Sequence, residues 1–528
     1  MAFATRDVKA SVQAIQTRFD RGLPSTFHNA KFDLHMLSNH GLVPNWKCID
    51  DTLSMARLLN NLGDNKLKKL GEEILGVPAD RADELKKWLA KNKRKFEKEH
   101  SRPITYLDAP DEILLPYASE DTVLTWRLHL NMMPRVNQAL YQRELILLRL
   151  MYEAEEWGVK VDPDLVQSRL TQALNEKEVL DQKVRLLQGD ADFNPDSDKD
   201  VIQWLYGDLG LTPVTYTPKG QPQVDEYNLL SNPHPATRLL VTRSKRNKSA
   251  EFLQSYLDLM DDRNIIHPTV NTMAARTHRF SCSTPNLQQI PARNDRFKIR
   301  ECFISGGWWF AGADFAKQEL YIAACEAGER NLMIDLAAGK EVYVDLAKVM
   351  LGKSAISSSE RTAAKVAILA MLYGAGAPKV AESFTVNTGH PYTVEQAKVI
   401  RNNIKVGYPG LTRLMNSMQQ QAMSQGFVTN RWGRKLYVQP ERAYVATDYL
   451  VQSSGRDVLG DALIKVSQIL PEWGGRLMWP IHDEVLVDLP EEPSPTFLKQ
   501  FEDAMRCDVF DLPLTATPHY GKTLASLK

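Results

Sequence analysis

The segment Arg361–Gly374 carries two cations and an aromatic ring at a spacing that suits a nucleoside triphosphate. The side chains four positions apart are Arg361, Lys365, Leu369 and Tyr373. On an α-helix, residues four positions apart are rotated by only ~40°, which predicts one stripe roughly 18 Å long. Phosphates would lie against the cations, and the base would lie near the ring. An arginine and a lysine at this spacing also occur on ordinary solvated helix faces, so the segment is not decisive alone.

Carboxylates stand at two places where predicted strands end. The apolar run 308–313 is strand-like and stops at Asp314, and Glu319 follows five positions later. Two further apolar runs flank His482-Asp483-Glu484 and predict a hairpin with two carboxylates at an exposed tip. An aspartate at the end of a strand is usually just a turn residue. The functional argument therefore depends on all three segments occurring together in this order.

The composition is that of a folded protein of several domains with balanced charge. The 528 residues suggest three to four folding units at roughly 150 residues each. Hydrophobic residues make up 43% and charged residues 25%, which excludes collagen-like and wholly disordered chains. Sixty-five Lys and Arg balance sixty-five Asp and Glu, so binding to a polyanion would require charges segregated between faces.

Cysteine usage and hydropathy predict the cellular setting. The cysteines lie far apart, without a CxxC pair, at Cys48, Cys282, Cys302, Cys325 and Cys507. This spacing argues against a zinc ribbon or a disulfide framework and is typical of a reducing compartment. The N-terminal sequence lacks a signal-peptide core, and no stretch approaches the ~18 apolar residues that span a membrane. We therefore expect a cytoplasmic protein with no membrane partner.

Together, the three segments resemble the motifs of the family A DNA polymerases, the group of bacterial DNA polymerase I and many bacteriophage replicative polymerases. DFAKQEL resembles motif A, R-x3-K-x7-YG motif B and HDE motif C. THRFSCSTPNLQQIP (277–291) resembles the run before motif A, and the resemblance covers essentially the whole chain. The chain differs from the family at His278, where glycine is frequent, at Ala316-Lys317-Gln318, and at Leu369, where Phe or Tyr is usual.

The resemblance implies phosphoryl transfer assisted by two metal ions. Asp314 and Asp483, helped by the Phe315 carbonyl, would hold two Mg²⁺ ions, for which Mn²⁺ could substitute. The residues implied in catalysis are Asp314, Asp483, Glu484 and Lys365. The residues implied in dNTP binding are Arg361, Lys365, Leu369, Tyr373, Glu319 and Phe315. In this set, Glu319 would exclude a 2′-hydroxyl, and Tyr373 would close the templating end of the pocket.

The resemblance also implies contacts with primer-template DNA. The residues implied near the primer end are Arg279, Asn286, Gln288, Gln452 and His482. The minor groove there presents similar acceptors for all correct base pairs, so such contacts would check fit rather than sequence. A basic segment, 242–248, would touch duplex phosphates through Arg243, Lys245, Arg246 and Lys248. A solvated helix face is the alternative explanation for this segment.

HNAKFDLHML (28–37) and YASED (117–121) resemble the second and third motifs of a 3′–5′ proofreading exonuclease. The matching residues are Asn29, Asp33, Tyr117 and Asp121. The first motif, Asp-x-Glu on a strand, has no counterpart among the 32 residues before Asp33. We therefore expect a partial domain whose exonuclease activity is absent or impaired in this chain alone. A separately encoded N-terminal piece is a conceivable partner, and the sequence identifies no processivity factor.

The expected architecture is of the α+β class. It is a right-hand polymerase with an antiparallel palm sheet, helical fingers and thumb, and an N-terminal partial exonuclease-like α/β domain. The predicted limits are 1–135 for the exonuclease-like domain, 136–265 for the thumb, 266–324 for the first part of the palm, 325–432 for the fingers and 433–528 for the second part of the palm.

The predicted function is template-directed addition of dNTPs to a primer 3′ end. The lack of a 5′-nuclease domain and the Leu369 variant favour a phage or prophage replicase, acting in the host cytoplasm, over a bacterial repair enzyme. A single-subunit RNA polymerase shares part of the arrangement, but Glu319 and Glu484 argue against it. A catalytically silent DNA-binding protein is the other alternative, and the intact pair of Asp314 and Asp483 argues against that.

Overall fold

The computed structural model describes residues 6–291, 295–511 and 513–527, so the first five residues of the predicted exonuclease-like domain lie outside the described ranges. The chain forms two compact units. The first comprises Met1–Glu156, Asn271–Phe280 and Thr429–Tyr437, and the second comprises Trp157–Val270, Ser281–Val428 and Val438–Lys528. Both contain helices and strands, which confirms the α+β class. No helix in the described ranges is long and apolar enough to cross a membrane.

The N-terminal part is mainly helical and contains a pair of short strands. Its elements are α1 (Val8–Asp20), β1 (Ser25–Phe27), α2 (Ala30–Ser38), β2 (Ile49–Asp51), α3 (Thr52–Leu59), α4 (Leu67–Leu75), α5 (Asp80–His100), α6 (Asp111–Met132) and α7 (Gln138–Trp157). Strands β1 and β2 are parallel, with Ser25 opposite Ile49 and Phe27 opposite Asp51. Within the described ranges β1 has no other strand neighbour.

Helix α7 packs in the first unit, although the predicted thumb begins at 136. Its Leu148 and Tyr152 belong to the same buried apolar cluster as Phe19 and Leu34 of α1 and α2. Tyr141 of α7 lies in a second cluster with side chains of α3 and α6. Because this helix completes the core of the N-terminal helices, the first unit continues to Glu156.

A helical hairpin with short flanking strands follows. The elements are β3 (Val159–Val161), α8 (Pro163–Gln188), α9 (Asp198–Ile202), α10 (Glu226–Ser231), α11 (Pro235–Leu259), β4 (Ile265–Ile266), β5 (Thr269–Asn271) and β6 (Ser281–Ser283). Helices α8 and α11 pack against each other. Each begins with proline, which suits the first helical turn because its missing N–H would have no partner there.

The next part contains a long strand and a block of helices. Its elements are β7 (Phe303–Ile304), β8 (Trp309–Phe315), α12 (Gln318–Ala327), α13 (Arg330–Ala337), α14 (Val342–Leu351), α15 (Ser358–Leu372), α16 (Ala377–Thr388), α17 (Val394–Gly407) and α18 (Pro409–Gln425). Helices α14, α15, α16 and α17 pack on one another, and α18 packs on α12.

The C-terminal part completes an antiparallel sheet. Its elements are β9 (Phe427–Thr429), β10 (Lys435–Tyr437), α19 (Ala446–Ile469), β11 (Arg476–Leu477), β12 (Glu484–Leu489), α20 (Pro495–Met505) and β13 (Ala516–Gly521). Strands of two chain regions form one sheet in the order β11-β12-β8-β13. Helix α19 packs against β11 and β12, and α20 packs against β13.

The buried carboxyl of Asp488 in this sheet predicts a pH-dependent contribution to stability. Asp488 is 2% exposed and lies opposite Arg476, with Nη2 2.6 Å from Oδ2. Burial raises the pKa of Asp488 from 3.8 to about 6, although the hydrogen bond from Arg476 acts to lower it. The folded protein therefore holds this proton more tightly than the unfolded chain does. The contribution of Asp488 to the free energy of unfolding falls as the pH rises from about 4 to about 6, and it is constant above that.

Asp488→Asn removes the ionisable group but keeps an acceptor for Arg476. Relative to wild type, the variant should gain up to about 3 kcal/mol in unfolding free energy between about pH 4 and about pH 6.5, at 1.36 kcal/mol per pKa unit. Urea unfolding of both proteins at several pH values measures this difference. A difference that stays constant over the whole interval would contradict the assignment.

Candidate active site

Strands β8 and β12 bring two of the predicted catalytic segments together. They pair antiparallel with Asp314 opposite Glu484. The Phe315 N–H also donates to the Asp483 carbonyl oxygen at 3.3 Å. Asp314 and Asp483, both half-buried, therefore stand on adjacent strand ends.

The His482-Asp483-Glu484 segment forms the tight hairpin that its sequence predicts. Ile481 and Glu484 exchange both backbone hydrogen bonds, at 3.1 and 2.9 Å, so His482 and Asp483 make a two-residue turn. His482 has φ of +58°, and tight hairpin turns use such left-handed conformations. The His482 side chain is exposed at the tip.

Glu484 lies in the sheet rather than at the tip, and it is 1% exposed. A Cβ at Gly312 would stand 3.0 Å from Glu484 Oε1, so the absence of a side chain there makes room for the carboxylate. Arg300 Nη2 lies 3.9 Å from Glu484 Oε2. Burial lowers the pKa of Arg300, whereas the carboxylates of Glu484 and Asp314 act to raise it. The sequence did not indicate Arg300, because nothing in its local pattern distinguishes it.

The second predicted segment is helical, as its spacing indicates. Helix α15 begins after Ser357, which exchanges hydrogen bonds with Glu360 in a capping box. The side chains that α15 buries are Ala363, Ala364, Ala367, Ile368, Met371 and Leu372. Arg361, Lys365 and Leu369 lie half-buried on the remaining face, and Tyr373 directly follows the helix. The helix therefore carries the first three residues of the predicted stripe, and Tyr373 follows its end.

Two residues beside the stripe had no sequence signal. Glu341 forms an ion pair with Arg361, with Oε2 2.6 Å from Nη2. Tyr343 is 3% exposed, and its ring centre lies 5.8 Å from the Arg361 guanidinium and 5.5 Å from Lys365 Nζ. Burial, followed by the Glu319 carboxylate, raises the pKa of Tyr343 well above its usual range. Tyr343 therefore lies beside the cationic stripe and close enough to Glu319 to be affected by its charge.

Gly374 explains how the chain turns sharply after Tyr373. Its φ is +83°, a conformation that glycine adopts without strain. A Cβ at this position would lie 2.4 Å from the Tyr444 carbonyl oxygen, so the close approach of these two backbone segments also requires glycine. Tyr373 therefore lies between the end of α15 and this turn.

The residues predicted to contact DNA near the primer end are distributed over both units. Gln288 Nε2 donates to the Pro480 carbonyl oxygen at 3.2 Å, which ties its segment to the strand before the hairpin tip. Asn286 Oδ1 accepts from the Gln288 N–H at 3.1 Å, so its side chain stabilises the local turn. Gln452 is half-buried on α19. Arg279 belongs to the first unit, in the segment Asn271–Phe280.

One residue of the basic segment on α11 is buried rather than exposed. Arg243 is 5% exposed and is paired with Asp181 and with Asp196, whose Oδ1 lies 2.7 Å from Nη2. A guanidinium buried between two carboxylates is not presented to duplex phosphates, so its prediction as a DNA contact is wrong. Lys245 and Lys248 are exposed, and Lys245 pairs with Glu226 at 2.7 Å.

Arg246 is half-buried and pairs with Glu176, with Nε 2.8 Å from Oε2. Arg296 binds the same carboxylate at 2.7 Å. Together these two cations hold the pKa of Glu176 below its usual range. Ion pairing reduces the charge that Arg246 and Lys245 could offer to a phosphate, so exposed Lys248 is the strongest candidate on this helix.

The exonuclease-like residues meet inside the first unit. Asp33 and Asp121 line one cavity of about 660 Å³ together with all three residues of β1. Asn29 precedes α2 with φ of +72°. Its N–H donates to Asp51 Oδ1 at 2.7 Å. Burial, reinforced by Asp51, raises the pKa of Asp33 to about 7. The carboxylates Asp33 and Asp121 of the second and third motifs thus line the same cavity.

A lysine that the sequence did not indicate, Lys68, pairs with carboxylates of the third motif. Lys68 Nζ lies 2.5 Å from Asp121 Oδ1 and 2.8 Å from Glu120 Oε2. It also lies 4.9 Å from the centre of the Tyr117 ring. Burial, followed by the charge of Asp121, raises the pKa of Tyr117 well above its usual range. The third motif is therefore neutralised by a cation of the protein itself.

Comparisons with known proteins match both regions of the chain. Residues 164–526 match DNA polymerase family A, and residues 3–137 match 3′–5′ exonuclease. The chain is 25% identical to the DNA polymerase of Mycobacterium phage D29, over 94% of this chain and 82% of that protein. It is also 25% identical to DNA polymerase I of Chloroflexus aurantiacus, over 94% of this chain but 54% of that protein. The chain thus spans about half the length of the bacterial relative.

A solved structure has the same fold. It is the POL domain of Pol1 from M. smegmatis, in complex with DNA primer-template and dNTP. The TM-score is 0.81 at 20% sequence identity, and the match covers 99% of this chain and 89% of that chain. Polymerases of family A use divalent metal ions. Because the family A match extends over more than half of the sequence, this chain belongs to DNA polymerase family A.

Proposed function

We propose that this chain is a DNA-directed DNA polymerase that adds dNTPs to a primer 3′ end as a template directs. The observation that carries the proposal is the pairing of β8 with β12, which sets Asp314 opposite Glu484 and ties Phe315 to Asp483. Phosphoryl transfer depends on positioning and charge neutralisation more than on covalent catalysis by the protein. Two aspartates on adjacent strand ends supply the anionic oxygens for that task.

The proposed metal ligands are Asp314, Asp483 and the Phe315 carbonyl, which would hold two Mg²⁺ ions or Mn²⁺ in their place. In the described ranges, no group of three or more His, Cys, Asp or Glu side chains is arranged to hold a metal. Two carboxylates nevertheless fit Mg²⁺, because proteins usually bind it through one or two carboxylates together with substrate phosphates. When bound, such ions stabilise the charge on the attacking 3′ oxygen and the leaving pyrophosphate.

The exposed face of α15 is proposed to bind the incoming dNTP. Lys365 has no ion-pair partner among the described residues, so its charge is available to the triphosphate. Arg361 would exchange Glu341 for a phosphate oxygen. Leu369 and Tyr373 would contact the nucleoside, with Tyr373 at the templating end. Glu319 would stand against the sugar, where a 2′-hydroxyl would not fit.

Two groups of residues are proposed to contact the primer-template. The group near the primer end comprises Arg279, Asn286, Gln288, Gln452 and His482. Exposed His482 and half-buried Gln452 have side chains of the kind that donate to minor-groove acceptors. The second group, on α11, comprises Lys248 and, with charges reduced by ion pairs, Lys245 and Arg246.

A phage origin and a cytoplasmic location are also proposed. The similarity over 82% of a mycobacteriophage polymerase supports a phage replicative enzyme. All five cysteines lie in the described ranges, are buried and form no disulfide there, as is usual for proteins of a reducing compartment. These observations support action in the cytoplasm, which is the host cytoplasm if the chain is phage-encoded.

A primer-extension assay tests the proposed reaction. A 5′-labelled primer on a longer template is incubated with the protein, Mg²⁺ and either dNTPs or rNTPs. We expect extension to the template end with dNTPs and little with rNTPs. Efficient extension with rNTPs would favour a single-subunit RNA polymerase. Tight DNA binding without any extension would favour a silent DNA-binding protein.

We also expect that this chain alone lacks appreciable 3′–5′ exonuclease activity. A two-metal nuclease must neutralise about four positive charges with several carboxylates. Asp33 and Asp121 line the cavity, but Asp121 is already paired with Lys68, and burial raises the pKa of Asp33 to about 7. The residues present therefore do not fit a pair of divalent ions.

Degradation of a 5′-labelled single strand, with Mg²⁺ or Mn²⁺ and a preparation active in primer extension, tests this expectation. We expect no shortening from the 3′ end above the background of the Asp33→Ala and Asp121→Ala variants. Loss of 3′ nucleotides that disappears in both variants would demonstrate a complete nuclease site and contradict the prediction.

A further inference from the structure

Asn61, just after α3 in the exonuclease-like region, joins two distant segments of the polymerase region. Its Nδ2 donates to the Arg276 carbonyl oxygen at 2.8 Å and to the Tyr437 carbonyl oxygen at 3.2 Å. Its Oδ1 accepts from the Tyr437 N–H at 2.7 Å. The Asn61 side chain is 9% exposed. One buried amide thus holds the backbone of two segments that are distant from it in sequence, both in the first unit.

A buried ionic network joins the same two segments to α7. Arg434 is 1% exposed, and Glu144 and His278 are fully buried. Arg434 Nη2 lies 2.6 Å from Glu144 Oε1, and Nη1 lies 3.2 Å from His278 Nδ1. Arg434 Nη1 also approaches Met273 Sδ at 3.4 Å. The first unit therefore fixes the segment Asn271–Phe280 through side chains as well as through its backbone.

The segment held in this way carries Arg279. Arg276, whose carbonyl Asn61 binds, precedes it by three positions, and His278 is its immediate neighbour. His278 has φ of +59°, and its N–H donates to the Ala275 carbonyl oxygen at 2.8 Å. The backbone is thus sharply bent directly before Arg279. The conformation of His278 is sterically restricted, so the bend cannot absorb a displacement of the backbone. A shift of the Arg276 carbonyl or of the Arg434–His278 contact would therefore redirect the Arg279 side chain.

We infer that Asn61 is a positioning residue for the polymerase reaction. It holds the loop Asn271–Phe280 so that Arg279 meets the primer end, and the exonuclease-like region thereby serves as a scaffold for recognising a correctly paired primer. The inference rests on the proposed role of Arg279. It gives this region a function that requires neither metal binding nor hydrolysis. Replacing Asn61 removes three hydrogen bonds to partly buried backbone groups of Arg276 and Tyr437, and the loop then moves.

The test is a double-mutant cycle with Asn61→Ala, Arg279→Ala and the combined variant in the full chain. The readout is the rate of dNTP addition to a matched primer terminus divided by the rate of addition to a mismatched one. We expect Asn61→Ala to lower this ratio by about tenfold, within the range for coupled neighbouring groups, with the KM for dNTP near wild type. The combined variant should match Arg279→Ala. Asn39→Ala, at an exposed position after α2, is the control and should leave the ratio unchanged.

A second variant separates the donated bonds of Asn61 from the accepted one. Asn61→Asp keeps an acceptor for the Tyr437 N–H but removes the donor to the Arg276 and Tyr437 carbonyl oxygens, so it should behave like Asn61→Ala. If the effects of Asn61→Ala and Arg279→Ala multiply in the combined variant, Asn61 does not act through Arg279 and the inference is wrong. A lowered melting temperature with an unchanged ratio would show a merely structural role and would also overturn it. An Arg279→Ala variant with a wild-type ratio would instead refute the proposed DNA contact on which the inference rests.

Discussion

Replacing Asp314 or Asp483 by asparagine is expected to remove primer extension almost completely while the fold and DNA binding persist. Asparagine has nearly the same shape as aspartate, and the pairing of β8 with β12 depends on backbone groups. What is lost is the negative charge that neutralises the metal ions during phosphoryl transfer. Loss of one preorganised electrostatic contact costs roughly 10²–10³ in rate, and loss of a ligand shared by both ions should cost more.

Asp488→Asn is the matched control, because it removes a carboxylate from the same strand as Glu484. Asp488 is paired with Arg476 and is not part of the proposed site, so this variant should extend primers at close to the wild-type rate. Single-turnover extension and primer-template affinity are measured for all three variants. Extension by Asp314→Asn or Asp483→Asn within about tenfold of wild type would defeat the metal-ligand assignment, since this lies below the range for one contact.

Lys365→Ala is expected to lower kcat/KM for dNTP by about 10²–10³ and to leave primer-template affinity nearly unchanged. Arg361 is engaged by Glu341, whereas Lys365 lies over the Tyr343 ring at 5.5 Å and has no ion-pair partner in the described ranges. Its charge should therefore act on the triphosphate and on the leaving pyrophosphate. The measurements are dNTP dependence of single-turnover incorporation and equilibrium binding of labelled primer-template.

Lys379→Ala removes a similar charge from α16, where Lys379 pairs with Glu382, and it should leave both quantities near wild type. If Lys365→Ala instead weakened DNA binding strongly with an unchanged KM for dNTP, Lys365 would belong to the duplex contacts. That result would assign this face of α15 to duplex binding rather than to dNTP binding.

Local patterns predicted the elements that carry the chemistry. The four-residue spacing of Arg361, Lys365 and Leu369 is a property of one helix, α15 (Ser358–Leu372), and Tyr373 directly follows it. The apolar runs around His482 required a turn between them, and the two-residue turn is found at His482 and Asp483. In both cases the signal lies within about fifteen residues, where periodicity and turn chemistry determine the structure.

Features that depend on tertiary contacts were not predictable in this way. Arg243 was taken for a surface cation because its neighbours in sequence are basic, but Asp181 on the facing helix buries and neutralises it. Glu341, Tyr343 and Lys68 lack a distinctive local pattern, and each acquires its role from a residue that is distant in sequence. The place of α7 in the first unit also depends on tertiary contacts, because its burial involves helices more than a hundred residues earlier.

The most direct test of the central claim is single-nucleotide incorporation by the wild-type protein. Each of the four dNTPs is offered alone, with Mg²⁺, to a primer placed opposite each of the four template bases, and addition of one nucleotide is measured by rapid quenching. A template-directed DNA polymerase of this family should add only the complementary dNTP at an appreciable rate in each of the four template contexts. Absence of addition in all contexts, or addition that does not depend on the template base, would contradict the account.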